Sequence, residues 1–329
     1  MLGIFSSFEK FPYKFMHVHE KIQKGSFEDM KFSFKRLGLI LGLSSVLIAA
    51  GCGNADDNTE TTDSEDTTTS GVEGEVELVY VEWDSEVAST HVIGKVLEDV
   101  GFDVTVTPLD NSVMWEAVAN SEADASVSAW VPLTHEAQIA TYGDQVEDLG
   151  PNLEGAKIGL VVPSYMDVDS IEDLTDQAGQ TITGIDAGAG VVGAAEQSLE
   201  DYENLSDWEV QTSSSGAMTT ALGTAIDNEE DIIVTGWTPH WKFQAYDLKY
   251  LDDPKGSFGE EETINTFVRE GLKEDNPEAY QILDNFFWET SDMESVMMDI
   301  YEGVSAEEAA AKWVEENQEK VAEWTEGIE

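Results

Sequence analysis

With one cysteine in 329 residues, this chain can form no internal disulfide. Basic residues are also scarce: 16 Lys and Arg stand against 68 Asp and Glu, a formal charge of −52. A surface of that sign repels phosphate backbones and excludes nucleic acid as a partner. It suits a protein kept soluble where salt screens self-repulsion, which points to a halophilic or salt-stressed source. The apolar run Leu37–Ala50, about fourteen residues, is too short for a comfortable membrane span. There is no Gly-x-Ser-x-Gly elbow, and Ser213-Ser-Ser-Gly216 reads as a strand-to-helix turn. No G-x-x-x-x-G-K-[ST] loop is present for a nucleotide. His91 and His135 also stand near strand ends, but neither has a second His or Cys at ligand spacing on its element, so no metal site is expected there. Nucleophile, base and orienter cannot be assembled, so the reading is of a protein that is not an enzyme and needs no cofactor.

Near the N-terminus, Met30-Lys-Phe-Ser-Phe-Lys-Arg36 is a basic segment leading into Leu37–Ala50 and then Ala49-Ala-Gly-Cys52. This is the layout of a secretory signal. Small residues directly before a cysteine resemble a bacterial lipobox, with Ala49 where that pattern usually has Leu. The resemblance implies that Cys52 is lipidated and becomes the mature N-terminus, two acyl chains holding it stably on the outer face of the membrane. Residues 1–51 are then an upstream extension plus signal peptide, with Met30 as the expected start. Residues 52–75, rich in Asn, Asp, Thr, Glu, Ser and Gly, cannot bury enough surface to fold and form a tether.

From Val76 onward, strand and helix patterns alternate: Val76–Val81 strand, 90–99 helix, Phe102–Thr107 strand, 113–120 helix, Ala123–Ala129 strand. That alternation predicts an α/β protein with a parallel sheet covered by helices. Gly150-Pro-Asn-Leu-Glu-Gly155 punctuates the series. A second series then runs from Ile158 to the strand 231–235. Leu248–Leu251 and Thr263–Val268 are expected to return to the first sheet. The predicted organisation is two lobes, 76–155 with 238–329 and 156–237, and a cleft between them.

Three tryptophans fall at strand ends: Trp83 after the first strand, Trp130 after the third, and Trp237 in Thr235-Gly-Trp-Thr-Pro-His240. The carboxyl ends of strands are where open α/β sheets collect ligands. Trp is also the best aromatic face for a cation that cannot donate hydrogen bonds. Gly188-Ala-Gly190-Val191-Val192-Gly193 opens a helix and exposes free amides at the positive end of its dipole. His240, three residues after Trp237, could donate to the same anion. Trp115, Trp208, Trp241, Trp288, Trp313 and Trp324 read as core.

Val81-Glu-Trp83, Asp124–Trp130 with Pro132 and His135, Asp148–Pro163, and Thr235-Gly-Trp237 resemble the glycine betaine-binding proteins of osmoprotectant ABC importers. The resemblance spans about residues 76–327. It implies a two-lobed, periplasmic-binding-protein-like fold of type II that closes on a trimethylammonium ligand and hands it to a membrane permease, acting as a monomer. It places an aromatic cage at Trp83, Trp130 and Trp237. The ligand carboxylate falls on the amides of Gly190 and Val191 and the side chain of His240. Choline, carnitine and proline betaine are alternative ligands of the same class, and a receptor coupled to a sensor is an alternative use.

Overall fold

The computed structural model describes Val72 and residues 74–328. The signal segment, Cys52 and almost all of the tether lie outside the described residues.

In chain order the elements are β1 (Glu75–Tyr80), α1 (Asp84–Val100), β2 (Asp103–Pro108), α2 (Asn111–Ala119), β3 (Ala125–Val131), α3 (Glu136–Tyr142) and the long β4 (Val146–Pro163). There follow β5 (Thr181–Thr183), α4 (Gly190–Asp201), β6 (Glu209–Gln211), α5 (Ser215–Asn228) and β7 (Ile233–Thr238). The chain ends through α6 (Lys242–Ala245), β8 (Leu248–Tyr250), β9 (Glu262–Arg269), α7 (Leu272–Asp275), α8 (Pro277–Asn285), α9 (Thr290–Tyr301), α10 (Ala306–Glu316) and α11 (Gln318–Trp324).

The strand order is β2-β1-β3-β9-β4-β7-β5-β6, with β8 also on β4. Neighbours β1–β2, β1–β3, β5–β6 and β5–β7 run parallel, as the alternating pattern predicts. β9 and β4 enter antiparallel, so each sheet is mixed rather than purely parallel. β4 belongs to both: its first half pairs with β9 and its second half with β7 and β8. One continuous strand is therefore the first crossing between the lobes.

The sequence reading treats 150–155 as a break between elements because of its Gly and Pro content. The structure keeps it in β4 by shifting register at Asp148/Gly150, Pro151/Leu153 and Glu154/Ala156. Gly150 and Gly155 take φ of +96° and +78°, where a residue with a Cβ would be strained.

Two further expectations are corrected. β7 does not stop at Gly236; it continues through Thr238, with Gly236 opposite Gly159 and Trp237 opposite Ile158. Gly236 is needed for close approach, since a Cβ there would meet Val161 Cγ2 at 2.4 Å. Leu248–Tyr250 does not return to the first sheet. The four-residue α6 reverses the chain beside β4, where β8 pairs with Val161–Pro163. The second crossing thus lies between β8 and β9, not near 238.

Near the C-terminus, α10 and α11 are parted at Asn317. Their tryptophans pack as the amphipathic spacing predicts: Trp313 stacks on Trp324 at 5.5 Å, and Trp288 and Phe286 meet them edge-on.

Candidate functional site

A hollow of about 320 Å³ lies between the lobes, lined by Trp83, Trp130, His135, Gly190, Val191 and Trp237, with Ser85, Thr134, Ile158, Ile185 and Ala189 completing the wall. Trp83 is the N-cap residue of α1, Trp130 sits near the end of β3 and Trp237 is inside β7. Three distant positions in sequence thus share one cavity. They are 7%, 4% and 4% exposed, so little of each indole is open to solvent. No Asp or Glu lines the hollow, although the chain carries 68 of them. A cation entering this space meets π faces and no carboxylate.

Gly190 and Val191 are the first residues of α4, with Ala189 as its N-cap. The first amides of an α-helix have no intrahelical acceptor and carry the positive end of the dipole. They reach the hollow from the second lobe, while Thr134 reaches it from the first. The approach is tight: a Cβ on Gly190 would lie 1.9 Å from the Thr134 carbonyl oxygen. Thr134 is itself held from β9, because the Glu262 carboxylate accepts from the amides of Leu133 and Thr134 at 2.6 and 2.9 Å and from the Thr134 hydroxyl.

His135 is the polar side chain that sequence reasoning left out of the site. It is fully buried, and Nδ1 accepts from the Trp130 amide at 3.0 Å. In the neutral ring the proton therefore sits on Nε2, a buried atom with no partner among the described residues. Burial pulls its pKa down to about 4, so the ring is a neutral donor at physiological pH. The ring also stacks near Trp83, at 6.4 Å between centroids, and meets Trp115 edge-on. The signal available in the sequence was its spacing, five residues beyond Trp130 and just after the strand end.

His240 does not line the hollow. It packs edge-on to Trp237 at 4.7 Å, and its Nδ1 accepts from the Lys242 amide at 3.1 Å. Burial first, and then the Lys242 charge, hold its pKa well below the ordinary histidine value. The turn after β7 leaves the ring against the edge of the indole and outside the lining of the hollow.

Around the hollow the lobes are joined by side-chain bonds. Trp83 Nε1 donates to Asp186 at 3.0 Å, and Asn111 donates to the Gly188 carbonyl at 2.9 Å. Asp84, at the start of α1, accepts from Ser215 Oγ and from Trp241 Nε1, both at 2.6 Å. Trp241, expected in the core, is buried and stacks on Tyr301 at 3.9 Å while it makes this bond. These bonds describe a closed cleft.

Comparison with known proteins agrees with this geometry. The profile of the substrate-binding domain of the ABC-type glycine betaine transport system matches residues 74–316. The glycine betaine/carnitine transport binding protein GbuC of Listeria monocytogenes is 54% identical over 175 residues, 53% of this chain and 57% of that relative. The match thus spans little more than half the length of that relative. The crystal structure of lactococcal OpuAC, closed and complexed with glycine betaine, is 58% identical with a TM-score of 0.76, covering 77% of this chain and all of that one. An ABC-transporter choline-binding protein in complex with choline is 27% identical with a TM-score of 0.72, covering 77% and 92% of the two chains. The two-lobed α/β fold is of the type II periplasmic-binding-protein kind. By the extent of the profile match, the chain belongs to the family of substrate-binding domains of ABC-type glycine betaine transport systems.

Proposed function

We propose that this protein captures glycine betaine, or a closely related trimethylammonium solute, outside the cell and delivers it to the membrane permease of an ABC importer. The observation that carries the reading is one hollow with three indoles, no carboxylate, and the free amides of Gly190 and Val191 in the same wall. A quaternary ammonium has methyls and no N–H, so a carboxylate partner could not hydrogen-bond it and would itself need desolvating. Indole faces attract it by roughly 0.5–2 kcal/mol each and bury the methyls at the same time. The carboxylate of the ligand then takes the α4 amides and the Nε2 proton of His135, satisfying a donor otherwise orphaned. Together these contacts supply the about −8 kcal/mol of a micromolar binder.

The residues assigned to the ligand are Trp83, Trp130 and Trp237 for the cation and Gly190, Val191 and His135 for the anion, with His135 in place of His240. Cys52 is proposed as the lipid attachment that holds a monomeric receptor at the outer face of the membrane. Among the described residues no helix is long and apolar enough to cross a membrane. Calorimetric titration with glycine betaine, proline betaine, carnitine and choline tests the assignment. Tight binding of the carboxylate-bearing ligands with weaker choline supports it, and choline binding most tightly contradicts the anion site.

A further inference from the structure

Behind the cage lies a charged side chain that the binding account does not use. Lys242, the first residue of α6, is completely buried, and its Nζ has no hydrogen-bond partner among the described residues. That nitrogen sits over the ring of Trp237, 4.4 Å from the centroid, and 5.3 Å from the ring of Phe243. Lys242 does not line the hollow whereas Trp237 does, so the amine meets the indole from outside the cavity lining.

We propose that Lys242 sets how strongly Trp237 holds a cation: as an uncharged amine it leaves the indole free to attract a quaternary ammonium, and as an ammonium it opposes that ligand at the same ring. This rests on the capture reading above. The attraction of a cation to an indole is electrostatic, and two like charges at one ring repel through a dry medium. Binding of the cation must therefore favour the neutral amine and expel a proton.

The groups facing Lys242 leave it able to change charge near neutrality. From α1 comes the carboxylate of Asp84, which favours the ammonium. From the turn after β7 comes His240, kept neutral by burial. From β8 comes Tyr250, whose pKa burial raises far above neutrality; it stacks on Phe243 and carries Lys157 of β4 over its ring. Glu294 of α9 approaches Tyr250 and bonds Gln244. Burial outweighs the Asp84 charge and brings the Lys242 pKa down to about 7. His135, at about 4, lies outside this range.

The test is calorimetric titration of the full chain with glycine betaine at pH 6, 7 and 8, in buffers of different ionisation enthalpy. The expected result is release of part of a proton per ligand at pH 7 and affinity on the order of tenfold higher at pH 8 than at pH 6, the worth of one dry cation–π contact. Lys242→Met, of similar volume, is expected to bind with no proton release and no pH trend. Tight wild-type binding with no proton exchange and flat affinity overturns this inference and leaves the capture reading standing. Proton release that persists in Lys242→Met also overturns it. Absence of glycine betaine binding at every pH removes the capture reading and this inference with it. Should Lys242→Met not fold, the wild-type proton count decides alone.

Discussion

The indole N–H of Trp83, on the first lobe, donates to the carboxylate of Asp186, on the second, at 3.0 Å. The same ring lines the ligand hollow. On the proposed binding mode, a wall of the hollow doubles as a latch, coupling ligand affinity to lobe closure through one side chain.

Trp83→Phe keeps an aromatic face and removes the donor. A hydrogen bond to a charged group contributes about 1.5–3 kcal/mol, so glycine betaine affinity is expected to fall by about tenfold or more. Asp186→Asn tests the other partner. In a double-mutant cycle the two changes are expected to be strongly non-additive; additive losses would show that the bond carries no coupling.

Gly190→Ala is expected to abolish tight binding, with at least about a hundredfold loss. The added methyl would lie 1.9 Å from the Thr134 carbonyl oxygen, and the Glu262 bonds hold that loop in place. The variant should fold normally, because the clash exists only when the lobes meet. Small-angle scattering with saturating ligand should show it remaining open. Wild-type affinity would mean that the loop yields freely.

His135→Leu should weaken glycine betaine by about 10–100-fold, the loss of a buried donor to a carboxylate, while changing choline little. His240→Leu should affect the two ligands alike. Equal effects of His135→Leu on both ligands would place the carboxylate elsewhere.

Two buried groups make stability depend on pH with opposite signs. Burial raises the Glu86 pKa from 4.5 to about 8 despite its bond from the Val81 amide. The stability tied to Glu86 is complete below pH 4.5 and is lost as pH rises to about 8, because the unfolded chain releases the proton first. His135, lowered from 6.5 to about 4, works the other way: its contribution is complete above pH 6.5 and is lost as pH falls toward 4. Glu86→Gln keeps the carbonyl acceptor and should be more stable than wild type at pH 8 by about 2–4 kcal/mol, converging with it near pH 4.5. Thermal unfolding across that range checks it, and parallel curves would contradict it.

Much of this was legible in sequence because the signals were local. Trp83 and Trp130 follow strand patterns directly, and Gly188–Gly193 announces a helix start. Trp237 was placed in the hollow, although its strand runs on beyond the glycine read as its end, since Gly236 serves close packing against Val161. What failed depended on pairing across distance. β4 absorbs Gly150 and Gly155 as register shifts that only its partner β9 reveals. The lobe assignment of β8 is set by its pairing with β4. His135 stands five residues after one tryptophan of the hollow and His240 three after another, and the direction of the turn after each strand separates them.

The central claim is that π faces select the positive charge and do more than fill space around methyl groups. The direct test is calorimetric comparison of glycine betaine with 3,3-dimethylbutanoate, which keeps the shape and the carboxylate but has carbon in place of the quaternary nitrogen. Three cation–π contacts of roughly 0.5–2 kcal/mol each predict that the carbon analogue binds at least about tenfold more weakly. Equal affinity of the two would contradict the account.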